Sequence, residues 1–248
     1  MARTAEGRAL TRMHTKQQLA LRAKVTTEVM RLYAIWSLKD EASFLRFQDA
    51  MVVLAQLRAI ESATLAASYY EQFRAVDAPG RAARTAARVA LAAPPAAAQI
   101  RTAVSATARA GVFRALRAGK PYEAAMQNGL VEVSGAVSRL VLQSGRDTIQ
   151  EELLRDPAAL GWARVASANA CAFCAMLASR GPVYKEETVD FEAHDHCTCG
   201  SEPAYDGAQW PPNSRAFDSL WRDAAQEFGH SPSVKEWRQF YEGRVPEA

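Results

Sequence analysis

Cys171-Ala172-Phe173-Cys174 and, twenty residues on, His194-Asp195-His196-Cys197-Thr198-Cys199 gather all four cysteines and two of the four histidines into one short window. Two cysteines three apart can turn both sulfurs to one point at the start of a helix. A second cluster about twenty residues later can close a tetrahedron around a metal. Thiolate and imidazole are the donors that zinc, a borderline-soft ion, prefers. Six candidate donors compete for four places, and the spacing fits a zinc knuckle without choosing the second pair. The ligand set taken forward is Cys171, Cys174, His194 and Cys197, with Cys199 and His196 as alternates. With four protein ligands such a site is closed and structural, and metal binding contributes much of the module's folding free energy.

The same residue types serve other chemistries. A reduced cysteine cluster can simply pack in a small core. A redox pair at Cys171 and Cys174 lacks the strand–helix alternation of a thioredoxin-like surround. A cysteine protease needs a thiolate, a histidine base and an orienting group, which Cys171 or Cys174, His194 or His196, and Asp195 supply by type, though no oxyanion-hole signature is visible. A catalytic zinc would leave one position to water and take Glu192 or Asp195 as base. A zinc-dependent nucleic-acid binder is disfavoured, because Asp190, Glu192, Asp195, Glu202 and Asp206 surround the window and repel phosphate.

The rest of the chain bounds these readings. Clustered cysteines in 248 residues do not resemble the spread of a secreted disulfide scaffold. Met1 to Arg8 carries charge with no following apolar run of signal-peptide type, so a chain made and kept in a reducing cytoplasm is expected, unless an assembly carries it elsewhere. No run of 18 residues is free of charge, and no membrane-spanning helix is expected. Charge is unevenly placed: residues 1–150 carry 21 Lys and Arg against 11 Asp and Glu, residues 151–248 carry 9 against 16. That asymmetry suggests two modules with different neighbours. The basic half is either a solvated helical surface or a face for nucleic acid or an acidic protein. Arg81, Arg84, Arg88, Arg101, Arg109, Arg114 and Arg117 would then meet phosphates, without base-reading motifs and so independently of sequence.

The elements that position the window are mainly α-helical. Leu21, Val25, Val29, Leu32 and Trp36 lay an apolar stripe down one helix, interrupted at Lys39-Asp40. Phe44, Phe47, Met51 and Leu54, then Leu65, Tyr69 and Phe73, continue it up to the stop at Asp77-Ala78-Pro79-Gly80. Residues 81–119, rich in Ala and Arg and broken by Pro94-Pro95, predict two helices that depend on neighbours. Pro121 opens another, striped by Met126, Leu130, Val133, Val137 and Leu140, reaching to about Leu154. Thin stripes on long helices suggest an extended helical arm more than a compact bundle.

From residue 158 the texture changes. Gly161 to Ala166 predicts a short strand, residues 171–179 one or two helical turns, and Phe191 to Tyr205 a hairpin or loop. Two amphipathic helices follow Trp210-Pro211-Pro212, one with Phe217, Leu220, Trp221, Ala224 and Phe228, the other with Val234, Trp237, Phe240 and Tyr241. The resulting class is an extended helical N-terminal arm or bundle over residues 1–157, a small α+β Cys/His module of zinc type over 158–208, and a C-terminal helical segment packing on it over 209–248. His14 and His230 read as surface residues, and the five tryptophans as core or interface anchors.

Gly161-Trp162-Ala163-Arg164-Val165, the run from Cys171 to Tyr184, His194 to Cys199 and Glu202-Pro203 together resemble the MuF-like minor capsid proteins of phages, most closely the actinobacterial-phage branch. The likeness is specific over about residues 145–205 and general elsewhere. The family pattern of a Cys-x-x-Cys pair, a glycine and a later His-x-x-Cys falls on Cys171, Cys174, Gly181, His194 and Cys197, with Cys199 in the looser position. Ala193 stands where a proline often precedes the histidine. The resemblance implies a head-morphogenesis protein of the virion, associated with the portal or major capsid protein inside the head, with a role in assembly and in DNA packaging or ejection. It implies no membrane and no small-molecule substrate. Relatives labelled as capsid maturation proteases make a cysteine- or zinc-dependent protease the alternative.

Overall fold

The computed structural model describes residues 2–78, 88–182, 191 and 193–244. Helix α1 (Ala5–Tyr33) starts at Thr4, whose hydroxyl accepts the Gly7 N–H at 2.9 Å. The chain turns through Lys39-Asp40, and the Asp40 carboxylate caps α2 (Glu41–Asp77) by accepting the Ala42 N–H at 3.0 Å. The two expected stripes of α2 therefore lie on one unbroken helix. Helix α3 runs through Ala97–Val104, a π turn at Ser105–Arg109, and Ala110–Arg117. Gln48 Nε2 donates to the Arg101 carbonyl at 3.1 Å and to Ser105 Oγ at 2.8 Å, where the helical ladder widens. Pro121 precedes α4 (Tyr122–Arg155), which ends before Asp156 as its stop residues predict.

Of the two helices expected over 81–119, only one is present among the described residues; 81–87 lie outside them, and 88–96 are not helical. The consecutive prolines remove amides a helix would need. Neighbours satisfy the rest of the segment: Val89 N–H donates to Glu71 Oε1 at 3.0 Å, and Ala92 N–H to Thr148 Oγ1 at 3.0 Å.

The long helices fold back on one another as a bundle instead of projecting as an arm. Helices α1, α2 and α4 pack mutually and α3 lies on α2 and α4. Small residues make this possible, because they bring backbones close enough for dispersion to replace the area that larger side chains would bury. Ala55, Ala59, Ala63 and Ala66 are fully buried on α2. At Gly129 of α4 a Cβ would sit 2.7 Å from the Ala108 carbonyl oxygen and 2.6 Å from Val112 Cγ2. By length and composition α2 is apolar enough to cross a membrane, but half of that window is buried. Its Arg58 is tied to Glu28 of α1 at 2.5 Å, and its Glu61 to Lys24 at 3.2 Å. These are the properties of a bundle's core helix.

Beyond α4, β1 (Gly161–Val165) pairs antiparallel with β2 (Gly200–Ala204), Gly161 opposite Ala204 and Val165 opposite Gly200. The segment expected to form a hairpin or loop thus contributes one strand to a partner about forty residues earlier. Between the strands lies α5 (Ala172–Ala178), and α6 (Pro212–Phe228) and α7 (Val234–Glu242) cover it. Trp162, Phe217, Trp237, Phe240 and Tyr241 form the core of this part together with Cys174, Cys197 and Cys199.

His14 is not a surface residue. It is buried in α1, stacked on Tyr69 at 4.5 Å between ring centroids, with no hydrogen-bond partner for Nδ1 among the described residues. The single polar residue gave no sign of this, because α1 buries Thr11 and His14 where β2 and α2 meet it. His230 is exposed as expected.

Two consequences are testable. A β-branched side chain at Gly129 must displace the Ala108 backbone, so Gly129→Val lowers unfolding free energy by about 1–3 kcal/mol in urea titration; an unchanged midpoint would contradict the packing. Burial holds the His14 pKa down at about 4, so the unfolded chain takes up the proton first. Stability from this group is complete above about pH 6.5 and is lost as pH falls toward about 4, by about 3 kcal/mol. His14→Phe keeps the stacking and removes this slope. Its stability relative to the parent chain should therefore rise steadily between those pH values.

Candidate metal centre

Each half of the Cys/His window is carried by a different part of the fold. Cys171 is the N-cap of α5, and its Sγ accepts the Cys174 N–H at 3.4 Å, which turns both sulfurs of the Cys-x-x-Cys pair toward one side. Helix α7 holds the approach to this turn: Trp237 Nε1 donates to the Ala172 carbonyl at 2.6 Å and the Tyr241 hydroxyl to the Ala170 carbonyl at 2.7 Å. The second half leads into β2, with His196 in the left-handed region at φ 66. A row on α4 at steps of four, three and four grips this loop. Arg139 Nε meets Asp195 Oδ1 at 2.8 Å, and Gln143 Nε2 donates to the Phe191 carbonyl at 3.4 Å. Arg146 donates through Nε to the Cys199 carbonyl at 3.1 Å and through Nη2 to that of Cys197 at 3.0 Å. Gln150 Oε1 accepts the Phe191 N–H at 3.3 Å.

Five of the six expected donors come together. Cys171 Sγ lies 2.9 Å from His194 Nε2, and Cys174 Sγ lies 3.6 Å from both His194 Nε2 and Cys197 Sγ. The donors form two overlapping triads, Cys171–Cys174–His194 and Cys174–Cys197–Cys199, each within 4.8 Å, and either can hold a metal ion. Cys174 belongs to both. His196 joins neither; its ring lies against Gly135 of α4, within 2.4 Å of where a Cβ would stand. Glu192 and Asp190 lie outside the described residues, and Glu202 is buried, its carboxylate accepting the Thr11 hydroxyl at 2.6 Å, so it presents no charge at the surface.

The electrostatics follow from crowding. Hydrogen bonds from Cys174, first through its thiol and then its backbone N–H, hold Cys171 down at about 5, with His194 adding to the effect. Cys197 is pushed strongly down by the thiols of Cys174 and Cys199 and by the charge of Arg146. Cys174 is pushed up by its bonds to Cys171, Cys197 and Cys199. A bond to Cys174 pulls Cys199 down, but its bond to Cys197 and its burial outweigh that and leave it at about 12. The crowded thiols thus pull one another's pKa values apart, Cys171 and Cys197 down and Cys174 and Cys199 up; a divalent ion would favour the deprotonated form of each sulfur it bound. Burial opposes the charge on His194, yet the Asp195 carbonyl and Cys171 raise its pKa. Because a carbonyl only accepts, the 2.6 Å contact fixes the proton on Nδ1 and leaves Nε2 facing the sulfurs.

Cys171 and His194 are exposed at the edge of a cleft of about 420 Å³, lined also by Arg22, Asn169, Tyr241 and Glu242. Sequence reasoning missed Arg139, Gln143, Arg146 and Gln150, although their helical spacing was readable. It also missed the use of Trp237 and Tyr241 as clamps. Among the arginines assigned to phosphate contact, Arg81 and Arg84 lie outside the described residues, and Arg88 and Arg117 are exposed. Arg101 pairs with Asp49 at 2.5 Å, Arg109 with Glu41 and Arg114 with Glu132. Such surface bridges are worth less than about 1 kcal/mol and leave these cations open to a stronger anion.

A family model described as VG15 protein matches residues 5–224. The Gene 15 protein of Mycobacterium phage D29 is similar at 32% identity, over 41% of this chain and 50% of that protein. The chain thus spans about half the length of the curated relative it matches. No solved structure matches.

Cys174 is the donor common to both triads, so any metal held there would depend on it most. In Co²⁺ titrations Cys174→Ser should lose binding at concentrations that still saturate Cys171→Ser and Cys199→Ser. Equal losses in all three variants would refute the shared position.

Proposed function

The chain belongs to the VG15 protein family, and from that premise we propose that it is a structural minor head protein of a tailed phage whose Cys/His cluster holds one zinc ion. The observation that carries the zinc reading is the spacing around Cys174. Zinc bonds of roughly 2.3 Å to sulfur and 2.0–2.1 Å to nitrogen give tetrahedral edges of roughly 3.5–3.8 Å. The two 3.6 Å separations from Cys174, to His194 Nε2 and to Cys197 Sγ, match those edges, while the 2.9 Å between Cys171 Sγ and His194 Nε2 is shorter and would open around an ion. Cys171, Cys174, His194 and Cys197 form the ligand set, with Cys199 as the alternate beside it. Four protein ligands close the site, and the ion's contribution is to fix the two loops to each other.

The phage relative and the MuF-like pattern of the window support placement in the virion, inside the head near the portal, after synthesis in the host cytoplasm. The partners on this reading are the portal protein, the major capsid protein or both. Packaged DNA would be met by Arg88, in the segment before α3, and by Arg101, Arg109, Arg114 and Arg117 of α3, without regard to sequence. A second reading, a cysteine-dependent capsid maturation protease, is favoured by one observation: the exposed Cys171 thiol stands 2.9 Å from His194 Nε2 beside the cleft.

Elemental mass spectrometry on chain purified without chelator separates the two. About one zinc per chain, with a fall in melting temperature on chelation, is the expected result. Metal-free chain with freely titrating thiols would sink the zinc centre and move Cys171 to a nucleophilic role. Proteomic analysis of purified phage particles should find the chain in the virion at low copy number; its absence there would refute the head assignment.

A further inference from the structure

Arg146 occupies the middle of α4, where a charged side chain has little reason to be. It is buried at 4% exposure beside Leu142 and Ile149 of the same helix, and its guanidinium pairs with no carboxylate among the described residues. The forked donation to the Cys197 and Cys199 carbonyls fixes the backbone on both sides of Thr198. Nη1 reaches Gln143 Oε1 at 3.4 Å, and the guanidinium lies 4.9 Å from the Phe191 ring centroid, so its own orientation is fixed. Arg164 of β1 lies against the same ring at 3.8 Å.

The charge balance gives these contacts a purpose. Three thiolates and a neutral imidazole around a divalent ion leave one net negative charge, and four thiolates leave two. A buried anion of that kind needs a nearby cation, because desolvation in a nonpolar interior is otherwise uncompensated. The guanidinium attached to the carbonyls of two of the sulfur-bearing residues is that cation.

We propose that Arg146 is the positioning residue of the metal centre: its forked bonds present Cys197 and Cys199, and its charge balances the anionic cluster. The inference rests on the zinc reading above. It also means that the donor loop is shaped by a helix of the bundle and does not form from the Cys/His window alone.

The test compares Arg146→Met, Arg146→Lys and the full parent chain in competition with a chromogenic zinc chelator, and by the absorption spectrum of the Co²⁺-loaded proteins. Arg74→Met, which removes a buried guanidinium bonded to Glu152 at 3.4 Å, serves as the comparison for loss of stability without loss of metal. Arg146→Met should lower zinc affinity by about 10–100-fold and alter the thiolate-to-cobalt charge-transfer band. Arg146→Lys, which keeps the charge but not the fork, should recover part of the affinity, and Arg74→Met should melt earlier with parental affinity and spectrum. If Arg146→Met does not fold, the lysine variant decides: weakened affinity supports the proposal, and parental affinity with a parental spectrum overturns it. Parental affinity in a folded Arg146→Met overturns it likewise. A parent chain that takes up no metal instead refutes the zinc reading itself, and the inference with it.

Discussion

Four thiols and an imidazole within a few ångströms cannot all adopt the protonation states they have in water. Either neighbouring thiols shift one another, as Cys174 lowers Cys171 and Cys197, or a cation takes the place of their protons. The fold must also hold together two loops that have no reason to meet on their own, since Cys174 and Cys197 are 23 positions apart and approach to 3.6 Å. Helix α7 clamps one loop through Trp237 and Tyr241, and α4 grips the other through Arg139, Gln143, Arg146 and Gln150. The cluster therefore sits where the C-terminal helices, the two-stranded sheet and the bundle meet. Conversely, anything that binds the cluster stabilises all three against unfolding.

The bundle meets this demand with modest materials. Alanine buries little area, so the contacts of α2 with α1 and α4 rely on close approach at Ala59, Ala63 and Gly145, whose added Cβ would lie 2.5 Å from Ser62 Oγ. Polar bonds then fix the register between helices. Gln18 donates to the Ser62 carbonyl at 3.1 Å, the Tyr33 hydroxyl to that of Met126 at 2.9 Å, and Arg58 holds Glu28. Arg58, Arg101, Arg109 and Arg114 each pair with a carboxylate of the bundle, and because every such bridge uses one charge of each sign, the positive surplus of the first half remains.

What could be read from the residues was local. The break at Lys39-Asp40, the start at Pro121 and the stop after Leu154 are written in capping and proline chemistry, and the helices obey them. The Cys-x-x-Cys pair announces its own helix turn. The pairing of β1 with β2 was hidden, because five residues of Gly-Ser-Glu-Pro-Ala carry no strand signature and owe their conformation to Gly161–Val165. Burial of His14 and Arg146 was hidden for the same reason. A polar side chain on an apolar face is legible as buried only once its partner, Tyr69 in one case and the Cys197–Cys199 loop in the other, is known. The choice between arm and bundle depended likewise on which small residues met which backbone, a property of pairs of helices and not of any one stripe.

The surroundings of His194 weigh the metal reading against the nucleophilic one. In a hydrolytic dyad the histidine needs an acceptor behind it that stabilises its positive charge, and Asp195 was the residue of suitable type. Its carboxylate is instead bonded to Arg139, and only its backbone carbonyl faces Nδ1. A neutral carbonyl behind Nδ1 is the arrangement that fixes a metal-binding imidazole, with the lone pair of Nε2 directed at the incoming ion. The three buried sulfurs behind Cys171 point the same way. A single nucleophile gains nothing from Cys197 and Cys199 packed into the core, whereas a closed centre needs inner donors that solvent does not reach. The exposed Cys171–His194 edge borders the cleft, while Cys174, Cys197 and Cys199 lie inside, as the donors of a closed centre would.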